Sequence, residues 1–268
     1  MTFIINFFLK FQINKYSAFI WNSSNKNLIP VKNLNRININ LLIGVDRQKK
    51  TLLNNTKNFS LGNFTNNALL WGARGNGKST LVKAIFYLLS KENKNLKLIQ
   101  LNKNNIFDIE KIYPLLRKFS NLRFIIFIDD LSFEKMDGQY KIIKSTLDGS
   151  IQNQPKNIVI YVTSNRRHLM PREMIDNERS SAIHTDESVE EKISLSDRFG
   201  LWIGFHSFNQ LEYLEIIKTY CNYFKITYNK EIEKQSIKWS LQRGNRTGRT
   251  AWQFIIQIAA DRNLKLDF

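Results

Sequence analysis

Hydrophobic positions along this chain follow two periods, and the changes between them mark its elements. Residues 68–71 form a short apolar run that passes straight into a glycine-rich turn. Over 79–89 the period becomes helical, with Leu81, Val82, Ile85, Leu88 and Leu89 on one face. A second strand is predicted over 97–101, a helix over 109–119, and a continuously apolar third strand over 123–129. Residues 140–150 read as helix, 158–164 as a β-branched strand with a polar end, and 201–205 as a fifth strand. Strands that are apolar throughout and alternate with helices predict a five-stranded parallel sheet covered on both faces, a three-layer α/β fold.

Beyond Phe205 only helical periodicity remains, over 210–224, 231–241 and 250–262. The pattern predicts an α/β domain over 41–207 followed by a small all-helical domain over 208–268. The first forty or so residues are rich in Asn and Lys, with Pro30 as a breaker, and read as an N-terminal arm over 1–40. The charged stretch 172–194 reads as a surface insertion.

Composition narrows the class. The chain has 268 residues, and 40 Lys plus Arg against 23 Asp plus Glu leave a formal net charge of +17. Such an excess attracts nucleic acid or anionic surfaces. The basic residues are scattered, however, and an Asn-, Ile- and Lys-heavy composition produces the same excess through coding bias. The single cysteine, Cys221, rules out an internal disulfide. The apolar opening is interrupted by Asn6 and Lys10 and falls short of the roughly 20 residues a membrane span needs. A cytoplasmic protein without stable membrane insertion is expected.

The chemistry begins at Gly72-Ala73-Arg74-Gly75-Asn76-Gly77-Lys78-Ser79, a complete G-x-x-x-x-G-K-[ST] phosphate loop between a predicted strand and a predicted helix. Its glycines let backbone N–H groups turn toward phosphates, and the helix start adds partial positive charge. Lys78 supplies a point charge to the β- and γ-phosphates of ATP, the Ser79 hydroxyl ligates Mg²⁺, and Thr80 follows in the same turn. The third strand ends in Asp129-Asp130, placing Asp129 toward the metal and Asp130 toward the attacking water, with Glu134 as a second candidate base. Asn165, ending the next strand, reaches the water or the γ-phosphate; otherwise it caps a strand. Arg198, just before the fifth strand, is either a surface ion-pair former or a group projected to a neighbouring subunit. Arg249 (or Arg246), at the start of the last helix, could swing onto the nucleotide. A positive charge there opposes the helix dipole, which favours the functional reading.

These elements, in this order over roughly residues 40 to 262, resemble the AAA+ superfamily of P-loop ATPases. The phrases WGARGNGKS, IDDLSFE, TSNRRHL and SLSDRFGLWIGF resemble an uncharacterised bacterial AAA+ family, a domain of unknown function related to replication initiators and helicase loaders. The resemblance implies an ATPase that uses ATP and Mg²⁺ and works as an oligomer. It places the segment around Val45 against the adenine, makes Arg198 the trans-acting arginine finger, and makes Arg249 the second sensor. Two departures weaken a protein-threading role. Asp130 stands where most AAA+ motors have Glu, and residues 102–107 lack the aromatic pore element. A base withdrawn by about 1 Å can cost on the order of 100-fold in rate, which suits a switch. The alternative is a nucleotide-gated module that holds nucleic acid or a protein client with negligible turnover. A kinase-like transferase finds no second substrate pocket in the sequence.

Overall fold

The computed structural model describes residues 11–34, 38–133, 138–148, 154–169 and 198–266. Its centre is a sheet of seven strands in the order β2-β1-β4-β5-β6-β3-β7. These are β1 (Ala18–Asn22), β2 (Asn27–Pro30), β3 (Ala68–Gly72), β4 (Leu96–Leu101), β5 (Arg123–Ile128), β6 (Ile158–Ser164) and β7 (Leu201–Phe205). The five strands expected from the sequence are all parallel. Around them lie α1 (Asp46–Ser60), α2 (Lys78–Glu92), α3 (Ile109–Arg117) and α4 (Gly138–Asp148).

Alternation along β5 shows why three layers form. Phe124, Ile126 and Ile128 face a core shared with Ile112 and Leu116 of α3 and Ile143 of α4. Ile125 and Phe127 face the opposite core, with Leu52 and Phe59 of α1 and Leu81, Ile85 and Phe86 of α2. A strand buried on both sides has no polar face, which is the continuous apolar pattern the sequence carries.

The strand count is corrected from five to seven, because the segment expected to be an arm contributes β1 and β2. β1 runs parallel to β4 and β2 antiparallel to β1. Ala18, Phe19 and Trp21 are buried, and Trp21 Nε1 donates to Asp108 Oδ2 at 2.9 Å. Burial alone would raise the Asp108 carboxyl, but hydrogen bonds from Lys111 and Trp21 outweigh it and hold the group at about 2. The added hairpin thus covers the edge of β4, which would otherwise present unpaired backbone.

Helix α1 also escaped the periodicity. It buries only Leu52, Thr56 and Phe59 on an otherwise polar cylinder. The last three helices are α5 (Gln210–Tyr223), α6 (Lys230–Gln242) and α7 (Gly248–Asp261). They share a separate core of Tyr213, Ile217, Ile232, Phe254 and Ile255, which Ile43 and Phe208 join. Each of these helices has a side-chain N-cap, from Asn209, Asn229 and Thr247 respectively. The predicted insertion at 172–194 lies outside the described residues, as does Glu134.

Candidate nucleotide-binding site

The phosphate-loop motif joins β3 to α2, and close backbone packing dictates its glycines. Gly72 has φ 127°, and a Cβ there would lie 2.0 Å from the Phe205 carbonyl oxygen. That approach lets Ala73 N donate to Phe205 O at 3.1 Å, tying the loop to β7. Gly75 and Gly77 also adopt positive φ, and Gly77 is the N-cap of α2. Asn76 is buried and donates through Nδ2 to His206 O at 2.6 Å. Its side chain therefore props the loop from behind.

Lys78 begins α2 and turns back into the loop. Its ammonium donates to Gly72 O at 2.7 Å, Ala73 O at 2.8 Å and Asn165 Oδ1 at 3.1 Å. Burial lowers its pKa to about 8, against the opposing pull of Asp130 and Asp129 and with some help from Arg249 and Arg74. Ser79 Oγ donates to Asp129 Oδ1 at 2.5 Å, and Thr163 Oγ1 donates to the same oxygen at 2.5 Å. Parallel pairing of β5 with β6 sets Ile128 opposite Val162, so the residues just past each strand meet. Asp130 follows with φ 54°, a left-handed conformation that Asp tolerates better than most residues. Its N–H donates to Thr163 Oγ1 at 2.9 Å, and its carboxylate accepts a hydrogen bond from Asn165 Nδ2. Lys103 closes the far side, donating to Asp130 O at 3.1 Å and lying 3.7 Å from Oδ2.

Lys78, Ser79, Asp129, Asp130, Thr163 and Asn165 line a cleft of about 1480 Å³ at the carboxyl ends of the strands, where ligands of open α/β sheets bind. Leu42, Val45, Phe208 and Trp252 form its apolar end, and Arg74, Thr80 and Arg249 its polar side. The last helix abuts the phosphate loop, with Arg249 N donating to Gly75 O at 3.0 Å. The donor set fits a magnesium-bound nucleoside triphosphate. Lys78 is a buried ammonium, and a carboxylate and a hydroxyl sit side by side as hard oxygen ligands. Arg198 is half-buried before β7 and is not part of this cleft's wall. Arg246 also stays out of this cleft and lines a second one behind the loop.

A family model described as "Protein of unknown function (DUF815)" matches residues 14–262. The chain belongs to the DUF815 family. No curated protein matches the sequence. Solved structures resemble the DUF815 chain at low identity. The Holliday junction branch migration motor RuvB of Thermotoga maritima is 20% identical, covering 81% of this chain and 62% of its own, with a TM-score of 0.52. Orc1 of Aeropyrum pernix, solved in complex with DNA, is 15% identical over 83% of this chain and 62% of its own, at 0.55. Domain III of the Thermotoga maritima replication initiation protein DnaA is 12% identical over 87% of this chain and 94% of its own, at 0.53. The chain thus spans less than two thirds of the RuvB and Orc1 structures. At these identities the likeness concerns the fold, which is the α/β P-loop fold of the AAA+ type.

Two site residues of the DUF815 chain were not singled out from its sequence. Thr163 bridges both acids; it stands two residues before Asn165 on β6, where parallel pairing with β5 could have suggested it. Lys103 has no such signal, since only tertiary packing brings it to Asp130. The N-terminal segment adds Lys15, Tyr16 and Val31 to the cleft wall, which an arm was not expected to do.

Proposed function

We propose that this DUF815 protein binds Mg²⁺·ATP in the cleft and hydrolyses it slowly, as an oligomeric switch in the cytoplasm. The observation that carries the reading is the meeting of Lys78, Ser79, Asp129, Asp130 and Asn165 at adjoining strand ends. In this reading Lys78 exchanges its carbonyl partners for phosphate oxygens. Ser79 and Asp129 hold the metal, which would neutralise charge on the β- and γ-phosphates. Asp130 accepts the proton of the attacking water and Asn165 orients that water. Arg198 of a neighbouring copy stabilises the developing charge, and Arg249 closes over the phosphates from the helical unit. Residues 41–207 then form the nucleotide-binding domain and 208–268 its lid. Among the described residues no helix is long and apolar enough to cross a membrane. RuvB is a Holliday junction branch migration motor and Orc1 was solved in complex with DNA, and nucleic acid is accordingly one candidate client, a protein the other.

A second reading has its own support. The Asp130 carboxylate is engaged by both Asn165 and Lys103, which favours a nucleotide-gated binding module with negligible turnover. Steady-state phosphate release, with Lys78→Ala as control, separates the two. Release above the control supports the ATPase. A thermal shift with ATP but no release supports the module, and no shift at all rejects both.

A further inference from the structure

Behind the phosphate loop lies a second cleft, of about 790 Å³, which shares Arg74 and Arg249 with the nucleotide cleft and adds Arg243 and Arg246, which the nucleotide reading does not use. The motif Arg243-Gly244-Asn245-Arg246-Thr247-Gly248-Arg249 forms much of its rim. Its wall carries four arginines, Arg74, Arg243, Arg246 and Arg249, and no carboxylate among the described residues. The described ion pairs are Lys49–Asp46, Lys103–Asp130 and Lys111–Asp108, so none of the four is neutralised among the described residues. Arg246 Nε is buried without a hydrogen-bond partner, while its Nη2 reaches Gln210 Oε1 at 3.4 Å. The Arg243 guanidinium lies over the Trp239 ring, its Cζ 3.4 Å from the centroid, which favours its position at the rim. Arg74, Arg243 and Arg249 are exposed and Arg246 half-buried, so solvent and salt screen their mutual repulsion, and together they leave a positive wall open to an anion.

We propose that this cleft binds the phosphodiester backbone of a nucleic-acid strand. Guanidinium groups recognise phosphate oxygens bidentately and are weakly hydrated, which suits them to this contact. The wall adds Asn245, Gln253 and Ser207, neutral donors of the kind that meet phosphate and sugar oxygens. The N-terminal amides of α7 are not the recognition device, because Gly75 O and Thr247 Oγ1 already take those of Arg249 and Thr250. A strand is favoured over an acidic peptide because the net charge of +17 acts over the long range at which polyanions are captured. The apolar wall is also small, with Phe208 and Leu241 its large side chains, leaving little to anchor a peptide. The assignment does not depend on ATP hydrolysis.

The test is fluorescence anisotropy of a labelled oligothymidylate about 20 nucleotides long, titrated without nucleotide at several salt concentrations. Four neutralised phosphates give a slope of log affinity against log salt of about −2.8 for a single strand. The double variant Arg243→Ala/Arg246→Ala should reduce that slope to about −1.4 and weaken binding roughly tenfold near 150 mM salt. Arg243→Lys/Arg246→Lys keeps the charges and should retain most of the slope, so loss of fold is separable from loss of charge; the circular dichroism melt of each variant checks the fold. Equal affinity and slope in wild type and the alanine variant would overturn the proposal. So would displacement of the oligonucleotide by polyglutamate of the same length at lower concentration, which assigns the cleft to an acidic peptide. Because ATP is absent from this titration, its failure leaves the ATPase reading to be judged by the thermal shift with ATP.

Discussion

Lys78 is at once the most buried ammonium of the cleft and the one with most to gain from an anion. Its pKa of about 8 arises mainly from burial, so below that value it is charged whether or not phosphate is bound. At pH 9 the free protein holds it mostly neutral, and an incoming triphosphate should draw a proton onto it. Calorimetry in buffers of different ionisation enthalpy should therefore show proton uptake on Mg²⁺·ATP binding at pH 9, approaching one, and little at pH 7. Equal uptake at both pH values would assign the proton elsewhere. Lys78→Ala should abolish tight binding and leave the fold intact. Saturating nucleotide at about 100 times its dissociation constant stabilises the native state by about 2.7 kcal/mol, a shift that differential scanning fluorimetry should detect in wild type and miss in the variant. The two acids should divide the work. Asp129→Asn leaves an amide oxygen for Ser79 and Thr163 but removes the negative charge that would face the metal, and should impair Mg²⁺-dependent binding. Asp130→Asn should lower turnover at nearly unchanged affinity. Equal loss of affinity in both variants would end that division.

Among the elements, the N-terminal hairpin makes the sharpest prediction. Asp108 holds β1 through Trp21 Nε1, and its folded pKa of about 2 lies below the ordinary carboxyl value of 3.8. A carboxyl with a depressed folded pKa contributes stability that is full above its unfolded value and lost as pH falls through its folded one. Wild type should thus lose more stability between pH 4 and pH 2 than Asp108→Asn, as read by urea midpoints. Removing the acceptor leaves a buried indole N–H unpaired, at about 1–3 kcal/mol, so Asp108→Ala should lower the midpoint at pH 7. An unchanged midpoint would mean that the hairpin is held by its apolar residues alone.

At the scale of the whole molecule the open question is where Arg198 acts. It lies outside its own cleft, and in the proposed oligomer it completes the next copy's site. An arginine supplied in this way contributes about 10³–10⁵ in rate elsewhere among P-loop enzymes. Phosphate release should accordingly rise faster than linearly with protein concentration. Mixing Lys78→Ala with Arg198→Ala, each inactive alone, should restore part of the activity, because some interfaces then pair an intact loop with an intact arginine. No rescue on mixing, together with a fully active monomer, would return Arg198 to an intramolecular role.

The sequence by itself determined the five parallel strands, the helices between them and the residues of the phosphate loop. Each of these is written in local patterning: apolar runs for strands buried on both faces, helical spacing for α2, and glycines where the backbone needs positive φ. Tertiary structure alone decided the rest. β1 and β2 were hidden because their short apolar runs lie among Asn- and Lys-rich neighbours that dominate the composition. α1 was hidden because three buried positions in fifteen leave almost no periodicity. Thr163 and Lys103 came to the acids through strand register and packing, which residue types do not encode. Whether Arg246 or Arg249 faces the main cleft was likewise undecided by spacing. The docking of α7 on Gly75 places Arg249 on the wall of both clefts and Arg246 on the rear one alone.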